Sequence, residues 1–366
     1  MRLNFGGYKW LWYDGYGRFC LGMAKALVRA GHDIYPFEMD DLDKPAWYKR
    51  AQGLDFSHAT LMLCPPHNMR AIPGRNFSYT MHETETLPEG WATHINEKSQ
   101  WLFTPTPSLI PVFEEAGVKI PIEVVPGGID PEECEIVRPM KDRAFTFGCL
   151  ADRGGRKGHQ QVWSAFYKAF DYKNKDVKLL VKCRPGSLPH LDFSYSNDPR
   201  LCIWKDDVKN IADIYQQMDA FMFPTKFEGY GMPCREAAAC GVPTVVTRYS
   251  GTADDCDEWA FPLEKFTKVE SKMIGCGGLW AEPDVDELVW RMRDIYQHQD
   301  EYREKALVKA QWLRNNNTYA HAANKLVNAM AKYLGGKPSP EPEPSFVQNL
   351  TAPVLPDGHV KEIVRE

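Results

Sequence analysis

The chain has 366 residues, of which 43% are hydrophobic and 12% aromatic, enough for sizeable cores and unlike a disordered or fibrous composition. A formal net charge of −5 and a pI of about 6.1 give no broad basic field, which argues against nucleic acid as the expected partner. No run approaches the roughly 18 apolar residues that read as a membrane span.

Short apolar strands alternate with amphipathic helices along the chain, the signature of an α/β fold with parallel sheets. Arg2–Phe5 is strand-like, a Gly-rich loop follows, and Phe19–Ala30 carries helical spacing that ends at Gly31. Asp33–Pro36, Thr60–Cys64, Asn76–Met81, Trp101–Thr104 and Ile122–Val125 continue the strand series. A second series runs through Phe145–Cys149, Val177–Lys182, Leu201–Trp204, Ala220–Phe223 and Thr244–Thr247, with helices at Gln160–Phe170 and Asn210–Gln217 between its strands. Two such series predict two Rossmann-like domains, 1–138 and 139–317, divided at the polar segment around Pro139. Asp284–His298 and Glu301–Gly335 read as a closing helix pair. Within it, Thr318–Leu334 carries an apolar stripe that must be buried against something. From residue 336 the composition turns Pro-rich and apolar-poor, as in a tail.

The ten cysteines are scattered, without a C-x-x-C pair or metal-type Cys/His spacing. Reduced thiols and an opening stretch unlike a signal peptide point to the cytoplasm.

The most informative stretch is "FPTKFEGYGMPCREAAACGVPTVVTRYSGTAD", Phe223 to Asp254. A strand leads into a loop with two glycines, Pro233 opens a helix, and another strand follows. Ligands of open α/β sheets bind beyond the carboxyl ends of the strands, so this loop faces a binding crevice. The helix N-terminus offers free N–H groups there, and Gly229 and Gly231 allow close backbone approach. Glu228 and Glu236 bracket the loop, and each carboxylate can accept two hydrogen bonds from a vicinal diol of a sugar or ribose.

This stretch resembles the E-x7-E region of retaining GT-B glycosyltransferases, the family 4 group of glycogen synthase-like and lipopolysaccharide-building enzymes. The resemblance implies that Glu228 binds the donor sugar and Glu236 the nucleotide ribose, with Gly229, Tyr230, Gly231 and Met232 between them at donor-binding positions. "FTFGCLADRGGRKGHQQVWSAF", Phe145 to Phe166, resembles the family's phosphate loop at "RKG". Arg153, Arg156 and Lys157 place cations where a diphosphate leaving group gathers charge, and Lys157 is the best phosphate contact. The pattern departs at its Arg end, where Cys149 or Leu150 stands instead.

In "GGYKWLWYDGYGRFCLGMAKALVRAGHDI", Gly15 and Gly17 permit approach to a ligand at a helix N-terminus that Arg18 opens, as in the family's donor-phosphate and acceptor loop. In "YTMHETETLPEGW", His82 resembles the histidine that touches the donor sugar from the N-terminal domain, while Glu83 and Glu85 are open between acceptor binding and plain surface charge. "VVPGGIDPE" resembles the signature that closes that domain. The resemblance covers about residues 1–335.

The expected activity is transfer of a sugar from a nucleotide-diphosphate sugar to a hydroxyl of a glycan or glycolipid, the latter compatible with peripheral membrane contact. No cofactor or metal is expected: "DD" at Asp40–Asp41, Asp206–Asp207 and Asp254–Asp255 reads as turns or caps, without an Asp-x-Asp motif in a metal-binding context. Two other readings stand beside it. One is a glycosyltransferase acting on a hydroxymethylated DNA base; the other is a nucleotide-sugar-binding protein without turnover.

Overall fold

The computed structural model describes residues 1–8, 10, 15–39, 54–140, 142–152, 154–183, 197–273 and 275–336. The first domain contains β1 (Arg2–Gly7), α1 (Gly15–Arg29), β2 (Asp33–Glu38), β3 (Ala59–Leu63), β4 (Asn76–Tyr79), α2 (Trp91–Lys98), β5 (Trp101–Thr104), α3 (Ile110–Glu115) and β6 (Ile122–Val124). Its six strands pair in parallel in the order β2-β1-β3-β4-β5-β6. The inner strands β3 and β4 are short and buried almost throughout, which is why they read as apolar runs and not as alternation.

The second domain contains β7 (Phe145–Leu150), α4 (His159–Ala169), β8 (Val177–Lys182), β9 (Leu201–Trp204), α5 (Ala212–Gln216), β10 (Ala220–Phe223), α6 (Met232–Ala239), β11 (Thr244–Thr247), α7 (Cys256–Trp259) and β12 (Phe261–Leu263). Its sheet is again parallel, in the order β12-β11-β10-β7-β8-β9. Strand order reverses between β7 and β10, and the crevice of such a sheet opens at that switch point. The loops leaving β7 and β10 therefore meet there, although they are separated by more than 60 residues of sequence.

A separate antiparallel hairpin follows, β13 (Phe266–Glu270) with β14 (Leu279–Pro283), then helices α8 (Val285–Gln297), α9 (Gln299–Asn316) and α10 (Tyr319–Leu334). The hairpin and the edge strand β12 have no counterpart in the sequence reading, because eight residues separate β13 from β14, not a two-residue turn, and β12 is only three residues with a central proline. The helix expected over Glu301–Gly335 is two helices. It breaks after Asn315-Asn316-Asn317, residues of modest helix propensity, and Thr318 restarts it by accepting the His321 N–H.

That break is where the chain returns to the first domain. Ile129 bridges Thr318 in parallel, and its N–H donates to Asn317 O at 2.9 Å. Helix α10 then buries Ala322, Ala323, Leu326, Val327 and Met330 with Leu3, Phe5, Phe19 and Met23 of the first domain. Ile129, Cys134 and Val137, which the sequence division assigns to the first domain, pack in the core of the second. Among the described residues, no helix is long and apolar enough to cross a membrane.

Candidate functional site

A cleft of about 920 Å³ lies between the domains, lined from the first by Gly15, Arg18, His82, Glu83 and Trp91 and from the second by Asp152, Arg156, Lys157, Glu228 and Glu236. Two loops from the switch point of the second sheet form its floor, and they lock together. The Lys226 N–H donates to Arg156 O at 2.8 Å, and the Arg156 Nη1 donates to Phe227 O at 2.5 Å. Gly158 caps α4 with φ of 71°, and a Cβ there would stand 2.0 Å from Pro224 O, so no other residue fits that contact.

Glu228 is 6% exposed, and its Oε1 accepts from Arg156 Nη1 at 2.5 Å and from the Thr225 hydroxyl at 3.1 Å. Its own N–H donates to Ser250 Oγ at 2.8 Å, which fixes the loop beneath it. Burial pushes its carboxyl above the ordinary carboxylate range, with Arg156 and Lys157 acting against that rise. Glu236 is 7% exposed on the second turn of α6. Arg18 Nη2 donates to it at 2.6 Å and the Tyr215 hydroxyl at 3.3 Å. Burial raises its carboxyl too, and Arg18 opposes the rise. Two buried carboxylates thus flank the Gly229–Met232 turn, each held by one arginine. Removing a single partner of such a pair leaves an uncompensated buried charge, so these are demanding sites to maintain for packing alone.

The remaining sequence-selected residues divide by what they touch. Lys157 lies on the cleft wall, its ammonium 5.6 Å from the centroid of the Phe223 ring, with no ion pair among the described residues. Arg153 lies outside the described residues. Gly15 lines the cleft with open space beside it, whereas Gly17 is buried in α1. Gly229 packs against the first domain: a Cβ would meet Met81 Cβ at 2.9 Å and His82 O at 3.2 Å. Gly231, with φ of 82°, is the N-cap of α6. The Tyr230 ring is buried edge-on to Phe19 and its hydroxyl donates to Asn317 Oδ1 at 2.6 Å, so its side chain joins the domains. The Met232 sulfur accepts from the Tyr319 hydroxyl at 3.4 Å.

His82 is buried beside Trp91, with Nε2 to Thr86 O at 2.9 Å. Burial lowers its pKa to about 4, so the ring is neutral at pH 7, with Nε2 as the donor in that bond. The unfolded chain binds this proton more readily, near pH 6.5, so the ring's contribution is fully present above pH 6.5 and is lost as pH falls toward 4. His82→Gln should flatten the fall of Tm between pH 6.5 and 4, where the wild type loses on the order of 3 kcal/mol through this group. Parallel Tm–pH curves for the two proteins would contradict it.

Arg18 and Tyr215 escaped the sequence reading as site residues, and Glu83, left open there between acceptor binding and surface charge, pairs with a cleft arginine. Arg156 Nη2 pairs with Glu83 Oε1 at 2.9 Å, so one arginine holds carboxylates of both domains. The available signal was the position of each residue, Arg18 in a first helical turn and Glu83 at a strand end, but not its partner.

Residues 142–297 match the family model described as "Glycosyl transferases group 1". That match covers most of the second domain. A stretch of 117 residues is 30% identical to the lipopolysaccharide core biosynthesis mannosyltransferase LpsB of Rhizobium meliloti (strain 1021), covering 27% of this chain and 30% of that protein. The match to that curated relative therefore spans under a third of its length. Among solved structures, Anabaena Alr3699/HepE, determined in complex with UDP and glucose, superposes with a TM-score of 0.65 at 10% identity over 91% of this chain and 100% of its own. WaaG, a glycosyltransferase involved in lipopolysaccharide biosynthesis, gives 0.64 at 13% identity over 89% and 99%. The two parallel sheets about a central cleft are the GT-B fold, and the segment that matches the family model supplies Arg156, Lys157, Glu228 and Glu236 to that cleft.

Proposed function

We propose that this protein transfers a sugar from a nucleotide-diphosphate sugar to an acceptor hydroxyl of a glycan or glycolipid, with retention at the anomeric carbon and without a metal. One observation carries the reading: two buried carboxylates, each set by an arginine, flank a helix N-terminus in a cleft beside the Lys157 ammonium. Glu236, with Arg18 and Tyr215 around it, suits a ribose diol. Glu228, next to the cations of the β7 loop and near the first domain's His82, suits the hydroxyls of the transferred sugar. The leaving diphosphate would lie between them, at the N-terminus of α6 and within reach of Lys157, where free N–H groups and fixed positive charge favour an anion.

In this reading the sugar–phosphate bond loosens toward an oxocarbenium-like state while the acceptor hydroxyl enters on the same face. The protein then contributes position and charge stabilisation, and neutral His82 contributes a wall of the sugar pocket rather than a charge. Lys157 and Arg156 take the charge-neutralising role that a metal has in other transferases.

Incubation with UDP-, GDP- and ADP-sugars, following nucleoside diphosphate release and product anomer by NMR with and without EDTA, tests these points together. The expected result is an α-linked product from an α-linked donor, at a rate EDTA does not change. An inverted product would remove the same-face mechanism, and loss of rate with EDTA would remove metal independence. Glu228→Gln, which keeps shape and removes charge, should lower turnover at least tenfold while nucleoside diphosphate affinity changes little. Equal losses in both would reassign Glu228 to the nucleotide.

A further inference from the structure

The β13–β14 hairpin follows the second domain in sequence and contacts both domains: the Ala281 N–H donates to Lys226 O at 2.9 Å and Phe266 packs on Tyr249 in the second, while other residues reach the first. It is separate from both six-stranded sheets, and a two-stranded hairpin is marginal by itself. Its order must come from what it docks on. Trp280, 2% exposed, is buried with Met39, Met62, Met69 and Leu87 of the first domain.

Polar contacts then tie the hairpin to one short segment, residues 83–86, between β4 and α2. Trp280 Nε1 donates to Glu83 O at 2.9 Å, and Thr84 Oγ1 donates to Gly277 O at 2.8 Å. The Lys268 ammonium stands 2.6 Å from Glu85 Oε1, which also accepts the Tyr249 hydroxyl. Gly278 lies so close that a Cβ would be 2.7 Å from Thr86 Oγ1 and 2.8 Å from Thr84 Oγ1. The same segment carries Glu83 to Arg156, and Arg156 holds Glu228. At the hairpin tip, Met273 and Cys276 line the cleft itself.

We propose that the β13–β14 hairpin is an interdomain clasp: it grips residues 83–86, sets Glu83 against Arg156, and holds the two domains together before any ligand binds. Arg156 is then positioned from both sides of the cleft, by Glu228 of its own domain and by a Glu83 whose backbone the hairpin fixes. The inference goes beyond the transferase reading, and the coupling it predicts does not depend on which ligand the cleft takes.

Hydrogen exchange on the full chain tests it through substitutions on opposite sides of the interface. Thr84→Val, in the first domain, should speed exchange across the hairpin, including the Ser271 N–H that donates to Gly278 O. Trp280→Phe, in the hairpin, should speed exchange over residues 83–86. Loss of one net hydrogen bond raises local opening by roughly two- to tenfold. Unchanged exchange in β7, β8 and β10 shows that the fold is intact, and Lys268→Met replaces Trp280→Phe if the latter does not fold. Acceleration confined to the substituted side in each case would overturn the clasp.

Turnover gives a second readout. With a nucleotide sugar that the wild type consumes, Thr84→Val should lower kcat severalfold and leave the Tm rise produced by UDP or GDP unchanged. An unaltered kcat would contradict the positioning of Arg156. A chain whose Tm no nucleoside diphosphate raises would sink the transferase reading, while the exchange experiment would still decide the clasp.

Discussion

Lys157→Ala should lower kcat by roughly two orders of magnitude or more, the size seen when one contact to developing transition-state charge is removed. Arg156 is already engaged by Glu228, Glu83 and Phe227 O, whereas Lys157 stands on the cleft wall against Phe223 with no ion pair among the described residues. Its charge is therefore available to a leaving phosphate at little reorganisation. Because that charge matters most as the bond to phosphate breaks, kcat and kcat/KM should fall together and KM should move little. Steady-state kinetics on the donor that the wild type consumes checks this. Activity near wild type would shift the role to Arg156 or to Arg153 of the same loop.

Truncation before Thr318 should abolish cooperative folding. Helix α10 places Leu326, Val327 and Met330 in the first domain's core, at 4% exposure or less. Burying a side chain of that size is worth about 1.5–3 kcal/mol, so these three alone approach the whole stability of an ordinary domain, about 5–15 kcal/mol. Their loss also uncovers Phe5, Phe19 and Met23 on the first domain. Truncation after Gly336 should leave Tm and turnover almost unchanged, because the Pro-rich composition beyond it provides little apolar burial. Thermal melts of the two truncations decide the point. Equal damage from both would make the tail a packed or functional element.

The parallel strands were legible because each is a short apolar run bounded by turn residues; Trp101–Thr104, Val177–Lys182, Leu201–Trp204, Ala220–Phe223 and Thr244–Thr247 agree end for end. The carboxylates were legible because strand, Gly-containing loop, proline and helix follow one another within one local stretch. What stayed hidden was pairing. Arg18 meets Glu236 across 218 positions and Arg156 meets Glu83, contacts that only the meeting of the two domains creates. The hairpin escaped for a related reason: its stability lies in docking onto both domains, not in alternation of its own.

The most direct test of the account is the thermal melt of wild type and Glu236→Ala with UDP, GDP and ADP. A ligand that binds only the folded chain raises Tm by mass action, worth about 2.7 kcal/mol at a hundredfold excess over Kd. The account predicts that at least one nucleoside diphosphate raises the wild-type Tm by several degrees. Glu236→Ala should lose most of that rise, since ribose hydroxyls lose a charged acceptor worth on the order of 1.5–3 kcal/mol. No rise with any nucleotide, or an equal rise in both proteins, would contradict it.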